Sequence, residues 1–325
     1  MDLPASASGR APAGPQGTAP AKPGRRTARE LLRAWFIASR PQVKPVTIIP
    51  VLVGLLLAAE DGAFDPWLAV LTMIGSLLIH AGTDLSNDYY DYVMYRGDAP
   101  FTGGSGVIQA GLLSPESCRR GAWVAFGTAA VIGAYLAARA GWPVLAFGLF
   151  GIFSGLFYTA PPIRYGYRGL GELMVGINMG LVIVVGTYFV QARTVTVEAA
   201  VASLPLASLV ALILYAESVH DIDEDLATGK HTLATRLGEA GAIRLYYAWV
   251  ALTAVLLVWG MAVGYLPWLA ALALVPMARC LRTAPRFLRG DYEHADLYAL
   301  GKMALGLYKA TGVTLVAGYA LRLLA

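Results

Sequence analysis

Residues 87–98 form an acidic segment at the end of a long apolar run and read Asn87-Asp88-Tyr89-Tyr90-Asp91-Tyr92-Val93-Met94-Tyr95-Arg96-Gly97-Asp98. If the helix of the apolar run continues into this segment, Asp88 and Asp91 fall on one face, which Asp84 shares. Two carboxylates about 6 Å apart repel each other by roughly 3 kcal/mol at an effective dielectric constant of about 20. The segment therefore predicts that a cation binds between these side chains.

A second acidic segment ends another apolar run and reads Glu217-Ser218-Val219-His220-Asp221-Ile222-Asp223-Glu224-Asp225. Glu217, Asp221 and Asp225 recur every four residues, which is the spacing of one helix face. A single acidic cluster at the end of a membrane helix can reach water and would be explained as a solvated face. Two clusters at matched helix ends instead favour a shared cation-binding site.

The whole chain has the composition of a polytopic membrane protein. Of its 325 residues, 57% are hydrophobic and 14% are charged, and the mean hydropathy is +0.58. A helix needs about 20 apolar residues to cross a bilayer. We therefore predict an all-α bundle of nine transmembrane helices, at residues 31–59, 66–95, 116–138, 141–158, 169–191, 197–221, 240–260, 265–282 and 299–324.

Lys and Arg are concentrated in alternate connections between the predicted helices, as at Arg164 and Arg168 or at Lys230 and Arg236. Basic residues in short loops remain on the cytoplasmic side. We therefore predict an integral protein of the cell (inner) membrane whose amino terminus and acidic segments face the cytoplasm. The net charge of +4 follows from this bias and gives no reason to expect a nucleic-acid partner.

Residues 1–28 are rich in Ala, Pro and Gly and contain no apolar stretch, which predicts a flexible cytosolic tail before a membrane domain at residues 29–325. The start of that domain, residues 29–40, has an amphipathic pattern that suits the membrane interface. Arg40 and Lys44 are four residues apart beside Pro41 and Pro45. They are alternatively explained as a cationic face that points into the bundle.

Two cytoplasmic connections carry residues that could bind phosphate. A glycine-rich loop at residues 101–115 could offer backbone N–H groups to phosphate oxygens, although an ordinary turn explains the same glycines. Pro161-Pro162 ends a predicted helix, so that Arg164 and Arg168 reach the mouth of the bundle. The retention of basic loop residues on the cytoplasmic side of the membrane explains these arginines. It does not explain Tyr158 and the other nearby tyrosines.

The two acidic segments together match the requirements of a magnesium diphosphate site. Mg²⁺ prefers oxygen ligands and is usually held by one or two carboxylates plus substrate phosphates. Nearby Arg and Lys would neutralise a departing diphosphate, and helices rich in Leu, Val and Phe would hold an apolar tail. A cation transporter is the alternative, but it would place its acidic residues near the bilayer midplane rather than at helix ends.

These motifs resemble those of the UbiA superfamily of intramembrane prenyltransferases, and most closely its 1,4-dihydroxy-2-naphthoate polyprenyltransferase branch. The resemblance extends from about residue 35 to the carboxyl terminus. It is carried by Arg40-Pro41, Asn87-Asp88-Tyr89-Tyr90-Asp91, Gln109-Ala110-Gly111-Leu112, Tyr158 with Pro161-Pro162, Gly169-Leu170-Gly171-Glu172, Gly186-Thr187-Tyr188, Asp221-Ile222-Asp223-Glu224-Asp225, Gly229-Lys230 and Thr232-Leu233.

The resemblance implies transfer of a polyprenyl group from polyprenyl diphosphate to an aromatic acceptor such as 1,4-dihydroxy-2-naphthoate, with loss of the ring carboxylate as CO₂. It implies catalytic roles for Asp88, Asp91, Asp221, Asp225 and Lys230. The four aspartates together with Asn87 would bind Mg²⁺. From these motifs and the surrounding charges, substrate binding is predicted for Arg40, Lys44, Asn87, Arg96, Tyr158, Arg164, Glu217 and His220.

The chain departs from the family pattern at three positions. Tyr95 stands where many members have a third Asp, and the next acid is Asp98. Glu217 and His220 stand where this branch usually has Asn and Arg, which adds a carboxylate and weakens a fixed positive charge. These differences concern the acceptor more than the metal. They leave a second function open, namely that of a UbiA-type terpene cyclase that uses a prenyl diphosphate without an acceptor.

Overall fold

The computed structural model describes residues 27–95 and 104–324, and all regular elements in these ranges are helical, as predicted. Residues 1–26 of the predicted tail, Arg96 and Asp98 lie outside these ranges. The helices are α1 (Ala28–Ala38), α2 (Pro45–Glu60), α3 (Pro66–Met94), α4 (Pro115–Ala140), α5 (Pro143–Phe157), α6 (Gly171–Val175), α7 (Ile183–Ala192), α8 (Val197–His220), α9 (Ile222–Ala227), α10 (Leu233–Ala262), α11 (Leu274–Leu281), α12 (Ala284–Leu288) and α13 (His294–Arg322). A π-helical segment, Gly176–Val182, joins α6 to α7.

Within the described ranges, six helices are long and apolar enough to cross a bilayer: α3, α4, the continuous rod Gly171–Ala192, α8, α10 and α13. The α1 and α2 regions add a seventh span if the pair, bent by 60°, counts as one. The prediction of nine spans is therefore not confirmed. Helix α5 has 15 residues, which gives a length of only about 22 Å, and residues 265–282 are divided between a 3₁₀ turn, Trp268–Ala273, and α11.

Polar caps fix where the long helices begin. The Asp65 carboxylate accepts hydrogen bonds from the first backbone N–H groups of α3, and Pro66 occupies the first helical position. Thr196 caps α8 in the same way. Such caps stabilise a helix by about 1 kcal/mol. Because the cap fixes where each helix begins, it also fixes where the helix ends. The acidic segments of α3 and α8 lie at those ends.

The bend between α1 and α2 lies at Arg40. This residue has φ of 46°, in the left-handed region, which a residue other than glycine adopts infrequently. Pro41 and Pro45 then begin the next two helical segments. The bend turns Arg40 and Lys44 toward α3, so these residues form a cationic face inside the bundle, while Phe36 of α1 stays exposed.

Three hydrophobic cores hold the described helices together. The largest core surrounds α8, which packs against α10 and α13, and it includes residues of α2 and α7. A second core joins α1 to α3 and α4, and a third joins α3, α4, α5 and α7. The walls of the large internal cavity are built by helices of all three cores. The two acidic segments, at the ends of α3 and α8, are thereby brought to the same end of this cavity.

Gly180 permits close packing of the π-helical segment against α8. A Cβ atom at this position would lie 2.2 Å from the Cα atom of Ala207. The backbone must shift to accept it, so Gly180→Ala is expected to lower the free energy of unfolding by about 1–3 kcal/mol. The unfolding midpoint in detergent measures this loss.

Gly306→Ala on α13 is the control for that experiment. No atom lies within 4 Å of the added Cβ, and Ala has a higher helix propensity than Gly by about 1 kcal/mol. This variant should be neutral or stabilised. If both alanines lowered the midpoint equally, the close contact at Gly180 would not be the cause.

Candidate functional site

A cavity of about 760 Å³ connects the two acidic segments with an apolar interior. Its polar end is lined by Asn87, Asp91, Tyr158, Arg164, Glu217, His220, Asp221, Asp225 and Lys230. Its apolar walls include Leu136, Val144, Phe147, Val190 and Ile213. Helix α3 lines the cavity from Thr72 to Met94, which corresponds to about 33 Å of helix rise. The cavity thus joins a charged mouth to a long apolar chamber.

Asp88, in the first acidic segment, is buried and fully engaged by protein groups. It accepts hydrogen bonds from the Arg40 guanidinium at 2.9 Å and from the Ser105 backbone N–H at 2.8 Å, and the Ser105 hydroxyl also donates to it. A Cβ at Gly104 would lie 2.6 Å from Asp88 Oδ1. The described part of the glycine-rich loop therefore covers Asp88, and its N–H group binds a carboxylate of the chain itself.

Further into the bilayer, α2 and α3 are joined by two more polar pairs. Lys44 Nζ donates to Asp84 Oδ2 at 2.7 Å, and Thr47 Oγ1 lies 2.6 Å from His80 Nδ1. With Arg40–Asp88 these contacts make a row of three pairs, about one helical turn apart, which we call the α2–α3 ladder. Lys44 is not among the residues that line the cavity. Its charge is used to neutralise Asp84.

The other two polar residues of the first segment face the loop that follows α5. Asp91 accepts a hydrogen bond from the Tyr167 hydroxyl at 2.7 Å, and Asn87 Oδ1 accepts one from the Thr159 hydroxyl at 3.0 Å. Burial, reinforced by the Asp91 carboxylate, raises the pKa of the Tyr167 hydroxyl. Tyr167 therefore keeps its proton and acts as a donor.

The sequence did not single out Tyr167, Thr159 or Ser105. The only available indication was the density of tyrosines after Tyr158, which positive-inside anchoring did not explain. In the structure the Arg164 guanidinium lies 3.9 Å from the centroid of the Tyr167 ring. Tyr167 thus fixes one carboxylate of the site and supports one of its arginines.

In the second segment, Asp225 is buried and pairs with Lys230 at 3.0 Å. Burial raises the pKa of the Asp225 carboxyl, and Lys230 counteracts this rise. Burial also opposes the charge of Lys230, but the Asp225 carboxylate, together with Asp91 and Tyr167, outweighs it, so the pKa of Lys230 is raised. Asp225 Oδ2 is buried without a hydrogen-bond partner in the described ranges. An ionic carboxylate oxygen in this situation indicates an additional ligand in the cavity.

Glu217 and His220, the two departures from the family pattern, both line the polar end of the cavity. The His220 ring lies 5.0 Å from that of His294 and hydrogen-bonds Asp221 through Nδ1 at 2.7 Å. The Glu217 side chain makes no hydrogen bond within the described part of the chain, and its exposed surface faces the cavity. His294, the first residue of α13, thus lies against a predicted site residue.

The side chains at the cavity mouth offer carboxylate and amide oxygens, which are the kind of ligand atom that Mg²⁺ prefers. Across residues 27–95 and 104–324, no three His, Cys, Asp or Glu side chains are gathered into a group that could hold a metal. Asn87, Asp91, Asp221 and Asp225 nevertheless line the same cavity from two helix ends, and Asp225 Oδ2 is unpartnered. Carboxylate and amide oxygens of this kind, with substrate phosphates, are the usual Mg²⁺ ligands.

Comparison with known proteins gives consistent matches. The model of the UbiA prenyltransferase family matches residues 47–306. A 1,4-dihydroxy-2-naphthoate octaprenyltransferase of Bacillus subtilis (strain 168) is 32% identical over 210 residues, which cover 65% of this chain and 68% of the relative. The enzyme of the same name from Mycobacterium leprae (strain TN) is 32% identical over 225 residues, which cover 69% and 76% of the two chains.

A solved structure has a similar fold at much lower sequence identity. The structure of a UbiA homologue from Archaeoglobus fulgidus bound to GPP and Mg²⁺ aligns with a TM-score of 0.57 and 14% identity. The alignment covers 87% of this chain and 99% of that one. At this identity the likeness concerns the fold alone.

Proposed function

The chain belongs to the UbiA prenyltransferase family, and on this premise we propose that it transfers a polyprenyl group to 1,4-dihydroxy-2-naphthoate or a closely related quinone precursor. The cavity is the observation that carries the proposal, because a charged mouth and a long apolar chamber suit the two ends of a polyprenyl diphosphate. The names of the two naphthoate relatives support the choice of acceptor.

Arg164 and Lys230 are positioned to bind the diphosphate. Both line the cavity and lie against the Tyr167 ring, with Arg164 at 3.9 Å and Lys230 at 6.0 Å from its centroid. Charge-assisted hydrogen bonds from these cations would strengthen as the negative charge of the departing diphosphate grows. Arg40 cannot contribute a free charge in the same way, because Asp88 neutralises it.

Asn87, Asp91, Asp221 and Asp225 are the residues proposed to hold Mg²⁺, with Asp88 behind them. When bound, Mg²⁺ supplies positive charge that stabilises the departing diphosphate. The chain itself contributes fixed ligands: Tyr167 holds Asp91, Thr159 holds Asn87, and Lys230 holds one oxygen of Asp225. The other oxygen of Asp225 remains available to a cation. The magnesium-bound homologue from Archaeoglobus fulgidus supports this choice of ion.

The reaction follows from what the cavity brings together. The bond between the prenyl C1 atom and the diphosphate oxygen breaks, and its electron pair leaves with the diphosphate. The apolar walls keep water away from the allylic cation, while the aromatic ring attacks C1. The ring carboxylate then leaves as CO₂, and the electrons of its bond return to the ring. These electrons neutralise the ring, which attack on the cation had left positive, and the diphosphate keeps the electron pair of the broken C–O bond, so no net proton transfer is needed.

Mass spectrometry of the products formed by the purified protein tests this function. We expect octaprenyl diphosphate, Mg²⁺ and 1,4-dihydroxy-2-naphthoate to yield a prenylated, decarboxylated naphthoquinol that is absent without the acceptor. An Asp88→Asn, Asp221→Asn double variant provides the blank. A hydrocarbon or terpene alcohol formed without the acceptor would instead establish a terpene cyclase, and the absence of diphosphate release would reject both activities.

We also propose that the protein lies in the cell membrane with the cavity mouth on the cytoplasmic side. The mouth carries Arg164 and Lys230, and Arg168 is exposed beside it, as expected for a cytoplasmic end. The Arg168→Cys variant should react with a membrane-impermeant maleimide in inverted vesicles and not in intact cells. The opposite labelling pattern would reverse the orientation.

Arg164→Gln is expected to raise the KM for prenyl diphosphate by about tenfold to a hundredfold, since one charge-assisted hydrogen bond contributes about 1.5–3 kcal/mol. Arg168→Gln is the matched control. Arg168 lies on the same loop, is exposed, and donates to the Pro162 carbonyl rather than lining the cavity. Equal increases in KM for both variants would show that the net charge of the loop matters and not the position of Arg164.

A further inference from the structure

The innermost pair of the α2–α3 ladder differs from the other two because it carries no formal charge. Thr47 is completely buried and His80 is 7% exposed, and the His80 ring lines the cavity. His80 Nε2 lies 3.7 Å from Asp84 Oδ2, beyond hydrogen-bond distance, and that oxygen already accepts from Lys44 at 2.7 Å. Nε2 therefore has no hydrogen-bond partner among the described residues.

The environment of Thr47 determines which His80 nitrogen carries the hydrogen. The contact with His80 Nδ1 is the only hydrogen bond that the Thr47 hydroxyl makes with the described residues. A buried hydroxyl is very rarely left without an acceptor, so Thr47 donates to Nδ1. In the neutral ring Nε2 then carries the hydrogen. His80 consequently presents one N–H donor to the cavity.

A second polar group lines the cavity from a different helical segment. Asn178 lies in the π-helical segment and lines the cavity, and its side chain makes no hydrogen bond within the described ranges. Asn178 Oδ1 and the Ile79 side chain approach the same glycine, Gly151, within 3.9 Å and 3.5 Å of an added Cβ. Ile79 adjoins His80, so Asn178 and His80 lie at a similar depth.

We propose that His80 and Asn178 bind the oxygen substituents of the aromatic acceptor. The inference rests on the proposed function and identifies where the oxygen-bearing ring is held. His80 Nε2–H donates to a ring oxygen, and the Asn178 amide offers a donor and an acceptor to the other side of the ring. Asp88 and His80 are separated by about 12 Å of helix rise. The ring therefore lies deeper than the diphosphate, toward the prenyl chain that it attacks.

The chemistry of the pair favours an oxygenated ring over the two parts of the prenyl donor. An isoprenoid chain has no group that can satisfy an N–H donor or an amide, and unsatisfied polar groups inside a membrane protein are costly. A diphosphate needs cations, but the ladder cations nearest to His80 are already paired with Asp84 and Asp88. A neutral donor opposite an amide instead suits hydroxyl and carboxylate oxygens on one ring.

Steady-state kinetics with both substrates varied tests the proposal. His80→Ala is expected to raise the KM for 1,4-dihydroxy-2-naphthoate by about tenfold, the effect of one lost hydrogen bond, and to change the KM for prenyl diphosphate less than twofold. His80→Gln should restore much of the acceptor affinity, because its amide N–H can replace Nε2–H. Asn178→Leu should act on the acceptor in the same direction.

Thr47→Val tests whether the ladder orients the His80 ring. It removes the hydrogen bond to Nδ1 and should raise the acceptor KM by a few fold. Thr311→Val provides the control, because Thr311 is also completely buried but lies outside the cavity on α13. If His80→Ala and His80→Gln both raised the KM for the acceptor and the KM for prenyl diphosphate to a similar extent, His80 would only hold α2 against α3. The proposal would then be wrong.

Direct titration of the acceptor separates this inference from the proposed function. Calorimetry should show that wild type binds 1,4-dihydroxy-2-naphthoate about tenfold more tightly than His80→Ala. If wild type makes the prenylated product and His80→Ala binds the acceptor equally well, the inference fails while the function stands. If wild type neither binds nor prenylates the acceptor, the proposed function itself fails.

Discussion

Asp225→Asn is expected to lower the rate of prenyl transfer by roughly 10²–10³-fold, the range found when one preorganised electrostatic group is removed from a catalytic site. Asp225 is buried at the cavity mouth, where Lys230 binds one oxygen and the other has no partner in the described ranges. Asn keeps the shape of the side chain and removes its charge. The loss should therefore appear in kcat, or as a higher Mg²⁺ requirement, in a diphosphate-release assay.

Asp223→Asn is the matched control for this substitution. Asp223 lies on the same short helix, α9, but it is exposed and does not line the cavity. It should retain nearly full activity. If Asp223→Asn were as inactive as Asp225→Asn, the total negative charge of α9 would matter and not the unpartnered oxygen of Asp225. Comparison of unfolding midpoints would show whether either loss comes from misfolding.

Gly148→Phe is expected to reduce octaprenyl transfer by about 100-fold and to leave geranyl transfer within a few fold. Gly148 lines the cavity on α5, and no atom lies within 4 Å of a Cβ added there. A phenyl group can therefore enter the chamber and displace part of a long chain. Because burial of one CH₂ group is worth about 0.8 kcal/mol, displacement of a single isoprene unit already suffices for a loss of this size.

Gly127→Phe is the control for the chamber experiment. Gly127 on α4 also has no atom within 4 Å of an added Cβ, but it is exposed and does not line the cavity. Its octaprenyl-to-geranyl activity ratio should equal that of wild type. An unchanged ratio in Gly148→Phe, measured with a set of donors of increasing length, would mean that the chain takes another path.

The sequence predicted the parts of this protein that depend on local pattern. Long apolar runs gave the membrane helices, and helical spacing gave the two acidic segments. The number of spans was not predictable in the same way, because hydropathy does not distinguish the full-length α3 from the shorter α5 or the divided segment at residues 265–282. A run of apolar residues predicts that the segment lies in the membrane. It does not predict whether the segment is one continuous helix, because prolines and packing determine that.

The site itself depends on contacts between distant residues, and these were less accessible from the sequence. Lys44 and Asp84 are 40 residues apart, and Tyr167 and Asp91 are 76 apart. Nothing in the local pattern of His80 indicated that this residue would line the cavity. The structure also shows that the described part of the glycine-rich loop binds Asp88, which neither sequence interpretation anticipated.

The α2–α3 ladder also has a consequence for how the bundle assembles. Two apolar helices in lipid can slide along each other at little cost, because the hydrophobic effect does not drive their association. A slide of one turn would set Lys44 against Asp88 and leave both Arg40 and Asp84 without a counter-charge. The three pairs therefore select one axial alignment from several of similar packing. The acidic segment at the end of α3 is thereby held at one height relative to α2 and to the membrane surface.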